Sequence, residues 1–274
     1  MPLSTSSIST LNAAGIITIT HCSNLTELPN EILNLILSFL DFKTLFNLRA
    51  TCKHFYEICS DEYFLQKLDL QPYWNLIDDN LIGLLAELAT DIKMINLSWL
   101  KLNSKSVLEI FFINSCKSLT TLKMDNCLIV DEEVLHTISV NCQQLEKLSL
   151  VGCMNHTLNN ENVSFSENIN INKNKNNFFY LKNLRKLISL NLYRSAIDTD
   201  SIVQILVACN QLKHLNLGSC INITDFDLVM DVLSVNCKLL ESLDLWRAYT
   251  LTNVGLNNVA NNCVNLVELD IGWW

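Results

Sequence analysis

One phrase recurs about eight times along this chain: an apolar residue, two others, then two further apolar residues separated by one. The copies run from Leu65 to Leu70, Ile92 to Leu97, Leu119 to Met124, Leu145 to Leu150, Leu187 to Leu192, Leu212 to Leu217, Leu240 to Leu245 and Leu266 to Ile271. Successive copies begin about 25 to 28 residues apart, except for one interval of about 42. In an extended segment, side chains alternate between faces, so the last two apolar positions of each copy point the same way. A single short strand of this kind cannot bury its apolar face. A stack of them can, because each copy covers its neighbour.

Between copies the chain turns and runs on at helical spacing, as in Asp79 to Leu88, Thr224 to Leu233 and Thr252 to Ala260. Asp79, Thr224 and Thr252 head these runs as expected N-caps, whose side chains satisfy a free helical N–H. Strand plus helix in about 26 residues is the leucine-rich-repeat pattern, which predicts an α/β solenoid shaped as a horseshoe, with parallel strands inside and helices outside. The repeats are expected to occupy residues 66–274. The one long interval contains residues 155–177, an asparagine-rich stretch too polar to order itself, and reads as a flexible loop on the repeat edge.

Composition excludes several functions. A net charge of −9 argues against a nucleic-acid partner, because phosphate contacts need clustered Lys and Arg. No apolar run reaches the roughly 18 residues of a membrane span, so no membrane insertion is expected. The first 24 residues carry no Lys or Arg and resemble neither a secretory signal nor a transit peptide, which makes residues 1–24 an expected disordered leader. Eight of the 11 cysteines fall at repeat positions, a placement that does not suit a disulfide framework. Cys116, Cys142, Cys209, Cys237 and Cys263 precede a copy's first apolar residue, and Cys127, Cys153 and Cys220 follow its last. A small thiol packs there as a buried hydrophobe, which points to a reducing, intracellular setting. No C-x-x-C pair is present, and no metal or cofactor is expected.

Residues 25–65 differ in kind from the repeats. Pro29 stands where a helix begins, its missing N–H costing nothing there. Apolar residues at 32, 33, 36, 37 and 40 follow at helical spacing. Asp41 to Thr44 interrupt the pattern, Leu45 to Cys52 resume it, and a third segment runs through Phe55, Tyr56 and Ile58. Three short helices in about 40 residues have little interior of their own. Such a unit either docks on a partner or caps the open end of the solenoid, and spacing alone leaves both open.

The run Leu28-Pro29-x-Glu31-Ile32-Leu33-x-x-Ile36-Leu37-Ser38-Phe39-Leu40, followed by Leu45-x-x-Leu48-Arg49-Ala50-Thr51-Cys52-Lys53-x-Phe55-Tyr56, resembles the F-box. Phe55 stands where that family usually has Trp, and Phe64-Leu65 replaces a frequent Leu-Trp. An F-box followed by cysteine-rich repeats is similar to the F-box/leucine-rich-repeat family of ubiquitin-ligase substrate receptors. That resemblance implies that Leu28, Pro29, Ile32, Leu33, Ile36, Leu37 and Leu40 dock on Skp1, and through it on a cullin, while the repeats hold a protein target for ubiquitination and proteasomal degradation. Phrases such as Leu70 to Trp74, Leu97 to Trp99, Leu243 to Arg247 and Leu269 to Trp273 are similar to a mitochondria-associated branch of the family. Its members also carry an N-terminal β-sandwich and further repeats, so the chain reads as a fragment or a shortened relative. A mitochondrial association is therefore the alternative to a cytoplasmic or nuclear setting.

The two positions after each copy's last apolar residue face outward and stack from repeat to repeat. The first column contains Tyr193, Gly218, Trp246 and Gly272, and the second Trp99, Arg194, Ser219, Arg247 and Trp273. Tyr, Trp and Arg dominate binding hot spots, which makes Trp74, Trp99, Tyr193, Arg194, Trp246, Arg247 and Trp273 the expected substrate surface. No phosphate loop, H-E-x-x-H or nucleophile elbow is present. A non-catalytic adaptor is expected, and the alternative is a leucine-rich-repeat scaffold or inhibitor with a helical cap.

Overall fold

Each copy of the phrase forms one strand of three residues. In the computed structural model, which describes residues 10–11, 17–18, 25, 28–153 and 177–272, two compact units are distinct, Met1–Phe64 and Leu65–Trp274. In the second unit, eight strands form a single parallel sheet in sequence order: β3 (Lys67–Asp69), β4 (Met94–Asn96), β5 (Thr121–Lys123), β6 (Lys147–Ser149), β7 (Ser189–Asn191), β8 (His214–Asn216), β9 (Ser242–Asp244) and β10 (Glu268–Asp270). Pairing is in strict register, so that Leu68, Ile95, Leu122, Leu148, Leu190, Leu215, Leu243 and Leu269 form one column. All but Leu269 are buried.

Six helices return the chain between strands: α5 (Asp79–Leu88), α6 (Lys105–Ser115), α7 (Glu132–Asn141), α8 (Thr199–Ala208), α9 (Phe226–Asn236) and α10 (Asn253–Asn262). Between α7 and α8 a 3-10 segment, Asn177–Asn183, takes the helical layer's place and packs against both. Two of the three expected caps lie one residue from the expected position, earlier for α5 and later for α9. Asp78 caps α5 by accepting from Leu81 N–H, and Asp225 caps α9 by accepting from Leu228 N–H, while Thr252 caps α10 as expected. Asp79 instead reaches the next repeat and accepts from the N–H groups of Asn103 and Ser104 at 3.1 and 3.3 Å. Asp227 does the same for Thr252 and Gly255. These acidic residues therefore tie repeats together at the helix starts, where negative charge also suits the helix dipole.

The ten described cysteines are all free. Those of the repeats are buried, and Cys127, Cys153 and Cys220 lie 3.0 to 3.1 Å from carbonyls of the preceding repeat. Burial pushes the thiols of Cys127, Cys153, Cys209 and Cys237 up to about 12 and that of Cys220 up to about 11. They are inert packing groups rather than nucleophiles.

The first unit contains α1 (Asn30–Leu37), α2 (Phe42–Arg49), α3 (Lys53–Cys59) and the short α4 (Glu62–Leu65), one more turn of helix than its sequence suggested. Asp41 ends the first helical pattern and caps α2 through Thr44 N–H at 2.7 Å. The core is Leu33, Leu37, Phe55, Cys59 and Phe64, with Leu28, Leu40, Leu45, Leu48 and Ile58 packed around it. Two short strands, β1 (Thr10–Leu11) and β2 (Ile17–Thr18), pair antiparallel within the stretch expected to be a leader. The remainder of residues 1–24 and residues 154–176 of the asparagine-rich loop lie outside the described residues.

Candidate functional site

The sheet face of the array is shaped by one recurring turn. The last residue of each strand is Asn or Asp in most repeats, and its side chain accepts from the N–H two residues on: Asn96 from Ser98, Asn191 from Tyr193, Asn216 from Gly218, Asp244 from Trp246 and Asp270 from Gly272, at 2.8 to 3.1 Å. These are Asx turns, which bend the chain out of the sheet and fix the column that follows. Asp244 and Asp270 thus hold the backbone under that column.

The next residue lies in the left-handed region in six repeats: Trp99, Asn126, Gly152, Arg194, Ser219 and Arg247, with φ between 54 and 70°. There its N–H still reaches the adjacent repeat, as in Trp99 to the Asp125 carbonyl at 2.8 Å and Arg194 to the Gly218 carbonyl at 2.9 Å. Glycine and asparagine accept this conformation readily, whereas a long side chain is strained in it. Trp99, Arg194 and Arg247 are therefore costly choices at a position whose geometry the fold dictates.

Four of the seven residues expected to bind a target come together. Tyr193, Arg194, Trp246 and Arg247 line one cleft of about 330 Å³, with Ser219, Ile221 and Tyr249 completing it. Tyr193 and Trp246 occupy the same column two repeats apart, yet their ring centroids are only 6.0 Å from each other. Gly218 lies between them and makes the approach possible: a Cβ there would meet Tyr193 Cδ2 at 2.9 Å. A Cβ at Gly272 would likewise meet Trp246 Cδ1 at 2.7 Å. The alternation of aromatic residue and glycine is what lets two rings tilt toward one another across the sheet. The Arg247 guanidinium stacks on Trp246 at 4.4 Å, a cation–π contact that holds both in place.

The other three are elsewhere. Trp74 is exposed near the start of the array, with the Lys101 ammonium over its ring at 5.0 Å. Trp99 is half exposed on β4's outgoing turn. Trp273 lies outside the described residues. Sequence reasoning missed Ser219, Ile221 and Tyr249, although Ser219 stands in the same stacked column as Arg194 and Arg247.

A second surface belongs to the helical unit, and the structure divides the seven residues expected to form it. Leu33 and Leu37 point into the unit's own core at 0 and 1% exposure, so they cannot touch a partner directly. Leu28 and Leu40 pack at the edge of that core, and Pro29 and Ile32 are half-buried. Ile36 is exposed, and with it are two residues outside the expected set, Leu35 at 58% and Phe39 at 82% exposure. Ile32, Leu35, Ile36 and Phe39 fall at i, i+3, i+4 and i+7, one stripe of α1 and the turn after it. Residues 33, 37 and 40 form the inward stripe. The helix is apolar on both sides, and the outward side was legible from that spacing.

Residues 25–71 match the F-box-like family. With the repeats that follow, this match supports the F-box/leucine-rich-repeat assignment. Over 252 residues, 90% of this chain, it is 32% identical to F-box/LRR-repeat protein 4 of Bos taurus. The chain spans 38% of that relative's length. Solved structures similar to it include the yeast Rad7 and Elc1 complex, at 16% identity over 89% of this chain and 64% of that one with a TM-score of 0.45. The tropomodulin C-terminal domain of Caenorhabditis elegans matches at 9% identity over 58% of this chain and 91% of that one, TM-score 0.40. A leucine-rich-repeat protein of Leptospira interrogans matches at 18% over 66% and 43%, TM-score 0.38.

Proposed function

We propose that the chain is the substrate-recognition subunit of a Skp1–cullin–F-box ubiquitin ligase. The observation that carries this reading is the outward stripe of α1. Four large apolar side chains at helical spacing, with Phe39 82% exposed, are the pattern of a helix that lays one face into a partner's groove. The F-box-like match over the same residues makes a Skp1-type protein the partner of choice. Ile32, Leu35, Ile36 and Phe39 make the contact, with Leu28, Pro29 and Leu40 at its edges. Leu33 and Leu37 set the angle of the helix from inside.

The array then holds the target on its sheet face, at the Tyr193–Trp246 cleft. Its mechanism is proximity: the receptor raises the effective concentration of target lysines near a conjugating enzyme carried elsewhere in the complex. The chain itself makes and breaks no bond. Its buried thiols are held protonated, and no group of three or more metal-ligating side chains is present among the described residues. No described helix is long and apolar enough to cross a membrane.

The test is capture of purified Skp1 by the full chain, beside Phe39→Asp and Leu35→Asp variants. A carboxylate on an exposed helical position leaves the fold intact while placing a charge in the interface. Loss of capture of at least about tenfold in both variants, with circular dichroism unchanged, is expected. Equal capture by variants and parent, or no capture by a folded parent, refutes the reading.

A further inference from the structure

Between Asn30 and Leu40 the chain has a single side-chain hydroxyl, that of Ser38, and the structure sets it at the border of the outward stripe of α1. Ser38 is exposed, forms the C-cap of α1, directly precedes Phe39 and falls about 60° from Leu35 around the helix axis. Its Oγ donates to the Leu35 carbonyl at 2.7 Å, closing the turn that carries Leu35 and Ile36. No basic residue stands in that last turn, although the carbonyl end of a helix favours positive charge. Beyond it, residues 38–41 link α1 to α2 without regular structure. Exposed links of this kind open locally at low cost, which is what a modifying enzyme requires of its substrate. Asp41 stands three residues after Ser38, the spacing at which acid-directed serine kinases read a carboxylate. In the folded chain Asp41 is engaged, capping α2 through Thr44 N–H at 2.7 Å, so it is read when the link opens. Ser106 and Thr224 have the same spacing to Glu109 and Asp227, but they belong to helix starts of the array.

We propose that Ser38 is a phosphorylation site whose phosphate switches off docking of α1 on its Skp1-type partner. The inference concerns regulation of the docking face and rests on the adaptor reading of that face. In the step, Ser38 Oγ forms a bond to the γ-phosphorus of ATP and the bond from that phosphorus to the β–γ bridging oxygen breaks. ADP leaves, and the hydroxyl proton passes to the base of the kinase. The product carries a charge of about −1.5 to −2 at neutral pH. Three consequences then act in the same direction. The ester oxygen has no proton, so donation to the Leu35 carbonyl is lost and the last turn of α1 loosens. The charge sits at the helix C-terminus, where the dipole repels it and no basic residue of the turn compensates. A hydrated phosphate beside Leu35 and Phe39 must also be stripped of water when the stripe enters an apolar groove. Leu33 and Leu37 hold the unit together from the inward stripe, so the modified chain keeps its fold. By linkage, the bound partner protects Ser38 as strongly as the phosphate opposes the partner.

The experiment treats the full chain with an acid-directed serine kinase and ATP and locates the phosphate by mass spectrometry. Ser38 should be modified, and Asp41→Asn, which retains an equally good N-cap, should slow that modification severalfold. Purified Skp1 is then captured by treated and untreated chain. Phosphorylation should weaken capture at least about tenfold while the circular dichroism spectrum shows a folded chain. Ser38→Ala should capture Skp1 as the parent does, with or without kinase treatment. Skp1 added before the kinase should protect Ser38. No phosphate on Ser38, undiminished capture by the phosphorylated chain, or a loss of capture that persists in Ser38→Ala would overturn the proposal. If the untreated, folded chain captures no Skp1, the adaptor reading falls and this control falls with it. If it captures Skp1 and the phosphate changes nothing, this inference alone falls.

Discussion

The two units of this chain bury apolar residues in different ways. In the repeat array the inward column runs through seven consecutive buried residues, from Leu68 to Leu243, all but Leu68 on the edge strand β3 flanked by strands on both sides. In the helical unit the core is five side chains, and the helix supplying two of them shows an equally apolar face to the outside. The array is therefore stabilised by repetition, with every repeat contributing to its neighbours. The helical unit is small, and a partner on its outward face would add burial it lacks alone. The difference teaches which apolar exposure carries information. Single exposed side chains on the array, such as Val207 or Val235, are ordinary. A complete i, i+3, i+4, i+7 stripe on a short helix is the pattern by which a helix docks into a groove.

The largest effect that could break this comparison is a cavity in each core. Leu215→Ala, on the interior strand β8, should cost about 3 to 5 kcal/mol and shift the main urea transition. Leu33→Ala deletes the same atoms from an equally buried site. It should unfold the helical unit locally, removing amide protection from α1 and α3 while leaving the main transition in place. Hydrogen exchange with a urea titration checks both. A single transition lowered equally by both variants would mean that the two units fold as one.

Most of the array was legible in the sequence, because a fixed period allows one repeat to be read against seven others. Register, parallel order and the inward column all follow from the spacing of the leucines. The aromatic and arginine column was legible for the same reason. What made it a cleft was not, since that depends on a side chain that is missing from the pattern: Gly218 lets Tyr193 reach Trp246. Asp244 and Asp270 stand side by side in register, and the side chain of each turns back on its own backbone. On α1, positions 32, 33, 36, 37 and 40 read as one apolar series at helical spacing. Successive residues are rotated by about 100°, so 33, 37 and 40 face inward while 32, 35, 36 and 39 face out. Burial separated the two stripes, and spacing alone would have done so had Leu35 and Phe39 been counted.

The next effect concerns charge rather than volume. Five repeat thiols are raised by burial from 9.0 toward about 11 or 12. Unfolding releases each to its ordinary value, so above that value the unfolded chain loses protons that the folded array retains. A raised folded pKa therefore leaves stability intact below pH 9.0 and erodes it as pH climbs toward 12. The urea midpoint of the array should fall continuously across that window. Cys52, in the helical unit, is exposed. At pH 9.0 a pulse of iodoacetamide should modify Cys52 in the folded protein and spare the repeat cysteines until denaturant is added. Modification of Cys127 or Cys220 at the rate of Cys52 would show that the array opens far more easily than its packing indicates.

The smallest effect has the opposite sign. At Arg194 the left-handed backbone costs a residue with a Cβ about 1 to 2 kcal/mol, whereas glycine adopts it without that penalty. Glycine in turn loses more freedom on folding, a disadvantage of about 0.5 to 1 kcal/mol. The difference leaves Arg194→Gly more stable than the parent by about 0.5 kcal/mol, a small upward shift of the urea midpoint at constant slope. Gly152, at the same turn with φ of 66°, is the control. There Gly152→Ala should destabilise, both by the backbone penalty and because its Cβ would lie 2.4 Å from Asn126 Oδ1. If Arg194→Gly instead lowered stability, the arginine would be holding the array together, and its strain would need no ligand to explain it.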